Sequence, residues 1–166
     1  MTMKLPLHTE YTWVTSPLGP VCLAAADEKL VGVWFDGQAH MPDLSGLKQT
    51  PQHPVLQSAA AQLAQYFAGQ RTVFDVPLDL SLGTRFQQSV WQALRHIAPG
   101  ATCSYKALSA AIDHPTAMRA VGAAVGRNPL SIIVPCHRVV GANGALTGYA
   151  GGLDRKTALL HLEGAL

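Results

Sequence analysis

Cys136 and His137 stand side by side, and together they offer nucleophilic chemistry. A thiol attacks as a thiolate, and its unperturbed pKa is about 8.5. A base within reach, directly or through a hydrogen-bonded water, can take the proton. A histidine in that role needs a carboxylate to fix its tautomer. Beyond residue 83 the acidic side chains are Asp113, Asp154 and Glu163. Glu163 closes the last expected helix and is able to fold back. In an extended strand, neighbouring side chains point to opposite faces. Direct contact between Cys136 and His137 therefore requires a turn of the backbone, and a bridging water is the natural alternative. The plain competing reading is a structural cysteine beside a surface histidine, since buried free cysteines are common.

Several elements must position these groups. Ile132 to Val140 is an apolar run interrupted by Pro135-Cys136-His137-Arg138. It reads as a buried strand that delivers a thiol to a pocket floor, because a buried charge must be paired or face a cavity. Asn128-Pro129 breaks the chain just before it, and an asparagine amide there can tie two loops together. Thr84 can cap a helix to about Ile97, and Ser104 a short one through Ile112. A further helix is expected over Thr116–Val125, ending at Gly126. Two short helices joined by a tight turn have the shape of a helix-turn-helix. The second is thin, with Ala117, Ala120, Gly122, Ala123 and Ala124, while Arg119 and Arg127 project from it. A thin helix suits close approach to another surface or close packing inside the protein. Gly141-Ala142-Asn143-Gly144 reads as a hairpin-type turn, and Asp154 as the cap of a last helix, Arg155 to about Glu163.

The N-terminal half differs. Tyr11 to about Ser16, Val21–Ala26 and Leu30–Phe35 read as three short strands of an antiparallel meander. Asp36–Gln52 reads as loop. Val55–Phe67 is an amphipathic helix stopped by Gly69. Val73–Leu80 contains Pro77, which confines it to a sheet edge or an extended linker. A boundary near Ser81–Thr84 divides the chain into domains at 1–82 and 83–166. The fold class expected is α+β.

With 166 residues, 48% hydrophobic and 13% charged, the chain can bury a real core and is not disordered. No apolar run approaches the roughly 20 residues that span a bilayer. Met1–Leu7 is too short and broken for a signal peptide, so a cytoplasmic location is expected. Three cysteines without a CxxC spacing argue against a disulfide framework. Residues 1–83 carry four basic against seven acidic side chains; residues 84–166 carry eight against three. The basic half, which holds Cys136, suits a polyanion.

Pro135-Cys136-His137-Arg138-Val139, preceded by Asn128-Pro129, resembles the signature of the O6-alkylguanine-DNA alkyltransferases. Ser104-Tyr105, Arg119-Ala120-Val121-Gly122, Leu146 to Gly152 and His161-Leu162-Glu163-Gly164 also stand where that family has counterparts. The resemblance is specific over about Gly83–Gly164 and looser before it. It is nearest to the bacterial constitutive single-unit enzymes. It implies an N-terminal domain resembling ribonuclease H, and repair of DNA by irreversible transfer of an alkyl group to Cys136 from guanine O6, or also from thymine O4. It further implies that His137, through a water, and Glu163 form a proton relay, and that Asn128 braces the active-site turn. Arg119 would enter the base stack in place of the flipped guanine. Tyr105 would help push the nucleotide out and meet the base edge, and Tyr149 would line the alkyl pocket. Ala120, Ala123, Ala124, Arg127 and Val139 complete the implied DNA contacts. The partner implied is double-stranded DNA carrying O6-alkylguanine, engaged in the minor groove by a free monomer able to bind cooperatively.

Ala150 departs from relatives that place a serine there, so a contact to guanine O6 would come from backbone. Some relatives bind zinc in the N-terminal half; Cys22, His8 and His53 show no ligand spacing, so neither metal nor cofactor is expected. His96, His114 and His161 read as surface or cap residues. Cys22 and Cys103 read as packing residues, and Trp34, Tyr66 and Trp91 as core. Lys106, Arg155 and Lys156 read as solvated, and Arg138 as a structural or phosphate-contacting residue. Two other functions compete. An alkyltransferase-like protein would hold damaged DNA without chemistry, but such relatives typically have tryptophan at the cysteine position. A cysteine hydrolase would turn over an ester through the same Cys-His pair.

Overall fold

The computed structural model describes residues 3–166. Met1 and Thr2, part of the segment read above for a leader, lie outside the described residues. Two compact units divide the chain, one ending at Leu82 and the other spanning Gly83–Leu166.

In the first unit, β1 (Glu10–Val14), β2 (Val21–Ala26) and β3 (Lys29–Phe35) form the meander, joined by tight turns. The Ser16 hydroxyl donates to the Gly19 carbonyl at 2.6 Å and closes the first turn. The second turn puts Asp27 at φ 55°, a conformation that a short polar side chain tolerates. The sheet is not purely antiparallel. A two-residue strand, β4 (Lys48–Gln49), pairs parallel to β1 inside the stretch expected to be loop, giving the order β3-β2-β1-β4. Two polar residues carry no alternation, so no sequence pattern marks them. At the other edge Leu78 bridges Leu30 in parallel, beside Pro77, as a proline-bearing edge segment should.

All six residues of β2 are buried, so both faces of the sheet are covered. Cys22, Ala24, Ala26, Val31 and Trp34 form one cluster, roofed by Leu5, Tyr11, Trp13, Met41, Leu44 and Leu82. The helix α1 (Pro54–Phe67) packs against β2 and β3, burying Leu56, Ala59, Leu63 and Tyr66. His53 caps it through Nδ1, which accepts from the Val55 amide at 3.1 Å.

The second unit is helical. In α2 (Arg85–Leu94), Thr84 and Gln87 form a reciprocal capping box. A short strand, β5 (Cys103–Ser104), leads into α3 (Tyr105–Ala111), whose Ser104 hydroxyl accepts from the Ala107 amide. The next helix, α4 (Met118–Gly126), starts two residues later than its sequence indicates and has no side-chain cap. It packs on α2 and α3 through Val121, Ala124 and Val125. Trp91 of α2, fully buried, donates its indole N–H to the Ala124 carbonyl at 2.8 Å.

The stretch expected to be a strand over Ile132–Val140 is mostly turn. Leu130–Val134 coils on itself, with the Val134 amide reaching the Leu130 carbonyl at 2.9 Å. Ile132 sits at φ 72°, a sterically costly conformation for a β-branched residue. Cys136–Arg138 form one 3-10 turn, and only β6 (Val139–Val140) pairs, parallel to β5. The apolar run reported burial, and burial alone does not distinguish a strand from a packed turn. Gly141–Gly144 turns back through a Gly141 amide bond to the Ala145 carbonyl, but no strand follows, so it joins no hairpin. The last helix, α5 (Leu153–Leu162), begins at Gly152 rather than at an Asp154 cap. Asp154 lies in its first turn, where a negative charge faces the positive end of the helix dipole.

The indole bond ties α2 to α4 and yields a stability prediction. Trp91→Phe keeps most of the apolar volume and strips the Ala124 carbonyl of its donor. Urea unfolding should show a loss of about 1–2 kcal/mol.

Candidate active site

The 3-10 turn places Cys136, His137 and Arg138, all buried, about a third of a rotation apart. Each side chain therefore addresses a different neighbour. His137 Nε2 lies 2.9 Å from Glu163 Oε2. Glu163 caps the end of α5, so the helix terminus does fold back onto the turn. Arg138 grips the same carboxylate with both edges of its guanidinium. Its Nε donates to Oε1 at 2.8 Å and Nη2 to Oε2 at 2.9 Å, while Nη1 donates to the Ile97 carbonyl at 2.6 Å. Arg138 is thus a structural clamp, buried away from any phosphate.

A carboxylate facing Nε2 assigns the imidazole proton to Nε2. Nδ1 is then the basic nitrogen. It is buried and has no partner among the described residues. Burial holds the His137 pKa below its ordinary value, against the pull of Glu163, so the ring is neutral near pH 7.

Burial pushes the Cys136 thiol up to about 11, while a hydrogen bond from Asn128 and the charge of Lys156 act the other way. The resting thiol is therefore protonated. Asn128 also ties its turn: Nδ2 donates to the Val134 carbonyl at 2.8 Å and Oδ1 accepts from the Leu130 amide at 3.0 Å. Its amide fixes the loop that presents the thiol.

Lys156 corrects the expectation of a solvated side chain. It is fully buried, and its ammonium donates to the carbonyls of Val139, Thr147 and Gly148 at 2.6, 2.8 and 3.2 Å. Three donors meet three acceptors. Burial lowers its pKa, and the nearby Cys136 favours the charged form. A signal for this was available: Lys156, Leu159 and Leu160 share one face at helical spacing. The same spacing marks the lysine as part of the core stripe.

Tyr105 opens α3, half-buried, with its pKa raised by burial. Tyr149 is half-buried in the loop before α5, with its hydroxyl enclosed. Arg119, Ala120 and Ala123 are exposed on α4, and Arg127 is half-buried at its C-cap. Two expected contact residues do not reach the surface. Ala124 is 3% exposed on the core face of α4, and Val139 is fully buried in β6. Both side chains are packed in the interior, which leaves only their backbone to meet a ligand. Among the described residues no group of three or more His, Cys, Asp or Glu could hold a metal ion. Among them, too, no helix is long and apolar enough to cross a membrane.

Known proteins resemble this chain over both of its units. Residues 85–165 match the family described as "6-O-methylguanine DNA methyltransferase, DNA binding domain". Residues 10–80 match "6-O-methylguanine DNA methyltransferase, ribonuclease-like domain". The methylated-DNA--protein-cysteine methyltransferase of Mycolicibacterium paratuberculosis is 48% identical over 93% of this chain and 92% of its own length. The constitutive enzyme of that name from Bacillus subtilis is 45% identical, covering 92% and 94% of the two chains. The crystal structure of Mycobacterium tuberculosis OGT in complex with DNA superposes with a TM-score of 0.87 at 47% identity, over 94% of this chain and 93% of that one.

Removing the buried ammonium tests its place in the site. Lys156→Met leaves three carbonyls without their donor, and thermal or urea unfolding should register a loss of about 3 kcal/mol. The same change removes a cation near the thiol. The pH dependence of iodoacetamide labelling at Cys136 should therefore move to higher pH.

Proposed function

The chain belongs to the 6-O-methylguanine DNA methyltransferase family, and from that premise we propose that it repairs DNA by taking the alkyl group of O6-alkylguanine onto its own Cys136, irreversibly and once per chain. What carries the reading is the buried thiol beside a histidine whose other nitrogen is held by Glu163. Cys136 Sγ attacks the alkyl carbon. The C–O6 bond breaks, and its electron pair stays on the guanine. The thiol proton passes to His137 Nδ1, directly or through one water, and in net is returned to the guanine anion, which leaves His137 neutral again. No co-reactant is consumed.

The remaining residues fit such a substrate. A base buried in a duplex must be extruded, at a cost of a few kcal/mol. Exposed Ala120 and Ala123 let α4 approach a minor groove, and Arg119 is placed at its start to occupy the vacated stack. Tyr105 keeps its phenolic proton near pH 7, so it can donate to the base edge. Tyr149 lines the alkyl group, and Ala150 leaves the contact to O6 to the backbone. The excess of basic side chains after residue 83 suits the phosphate backbone. The protein is read as a cytoplasmic monomer that needs no cofactor.

The direct test is intact mass after mixing with a duplex oligonucleotide that carries O6-methylguanine. One methyl group should be gained per chain, peptide mapping should place it on Cys136, and Cys136→Ser should gain none. A folded wild-type protein that stays unmodified overturns the proposal. The pH profile gives a second check. His137 must be neutral to accept a proton, and burial holds its pKa below about 6.5. The transfer rate should hold its plateau as pH falls to about 6.5, and decline only below it. Glu163→Gln should slow transfer roughly 100-fold and move that acid limb lower still, because the carboxylate is what raises the histidine's proton affinity.

A further inference from the structure

Glu163 Oε2 serves two partners at once. His137 Nε2 lies 2.9 Å from it, and Arg138 Nη2 donates to the same oxygen at 2.9 Å. Arg138 Nε takes the other oxygen, Oε1, at 2.8 Å. The guanidinium therefore spans the whole carboxylate and shares one atom with the imidazole. The last torsion of a glutamate is broad, so a bond from His137 alone would leave the carboxylate plane free to turn. A planar fork fixes that plane. The fork is itself anchored, because Nη1 donates to the Ile97 carbonyl at 2.6 Å. The segment bearing that carbonyl also lies against the end of α5: a methyl group at Gly100 would stand 3.2 Å from the Glu163 carbonyl oxygen. Residues 97–100 thus bear on Glu163 twice, through Arg138 and along its own backbone.

The same contact bears on charge. A carboxylate alone beside a buried imidazole favours the imidazolium, and an imidazolium cannot accept the thiol proton. Glu163 does pull His137 toward the charged form, while Arg138 and Lys156 act against it. Lys156 directs its three donors to backbone carbonyls, so of these two cations Arg138 is the one bonded to Glu163. The charged and titratable groups around His137 are therefore Glu163 and Lys156 from α5, with Cys136 and Arg138 from its own turn. The helix α2 also packs on the turn, but its one charged residue, Arg85, stands at its exposed start.

We propose that Arg138 is a positioning residue for the transfer reaction: its guanidinium holds the Glu163 carboxylate against His137 Nε2 and balances its charge, so that the ring stays neutral and able to take a proton at Nδ1. This rests on the reading of His137 as proton acceptor given under the proposed function. Arg138 touches no reacting atom and acts only through Glu163 and His137.

Two variants and two measurements test this. Arg138→Met removes the charge and leaves Glu163 to act on His137 unopposed at that contact. The acid limb of methyl transfer from duplex O6-methylguanine should move to higher pH, by about one unit. That direction is opposite to the one expected for Glu163→Gln. Loosened packing alone would slow transfer at every pH without moving the limb. Arg138→Lys keeps the charge and loses the fork. Its limb should stay near the wild-type position while its plateau falls roughly 3- to 10-fold, as for a lost hydrogen bond. A limb that stays or moves lower in Arg138→Met overturns the proposal. So does a wild-type plateau in Arg138→Lys, which decides the matter if Arg138→Met does not fold. A wild-type protein that takes up no methyl fails the functional reading instead. Imidazole titration by NMR in the free protein then judges Arg138 by itself, with His137 assigned by its absence in His137→Gln. His137 should protonate at higher pH in Arg138→Met than in wild type, and an unshifted titration overturns the role of Arg138.

Discussion

One carboxylate holds the cluster around Cys136 together. Glu163 accepts from His137 and from two nitrogens of Arg138, all buried with it. Removing a single partner from such a buried set costs several kcal/mol, because the charge left behind has lost its water as well as its counterion. Arg138 extends the arrangement to the Ile97 carbonyl, just past α2. The end of α5, the 3-10 turn and the segment after α2 are therefore fixed by one cluster. Glu163 sits three residues before Leu166, yet the geometry of Cys136 depends on it.

The charge distribution around the thiol follows from the same packing. Arg138 and Lys156 are cations and Glu163 an anion, so the buried groups carry one net positive charge while the thiol is protonated. Ionising Cys136 neutralises that excess. Burial nevertheless dominates at rest and keeps the proton on sulfur, while the same burial keeps His137 neutral. The thiol is thus protonated and the imidazole neutral in the resting protein.

Much of this was legible in the residues. Short strand-like runs between turn residues located β1, β2 and β3, and the Thr84 and Ser104 caps located α2 and α3. Carboxylate supply narrowed the partner of His137 to three residues, and the fold selected Glu163. What the sequence hid has physical causes. The Ile132–Val140 run gave a burial signal without periodicity, so the turn at Ile132 and the 3-10 geometry of Cys136 could not be read from it. β4 is too short and too polar to leave a pattern. Ala124 and Val139 lie on interior faces that a list of motif positions does not distinguish from exterior ones. Lys156 was misplaced because a lysine is assigned to solvent by its type, although its spacing with Leu159 and Leu160 places it in the core.

The protonated state of Cys136 bears on how long the protein remains fit for use. Peroxide and other electrophiles in the cell attack thiolates, and oxidation beyond the sulfenic acid is hard to reverse. A cysteine that is 5% exposed, with a thiol protonated well above neutral pH, is a poor target for them. Under the single-use reading proposed above, durability while waiting matters as much as speed on arrival. The desolvation that keeps the thiol protonated is also what shields it.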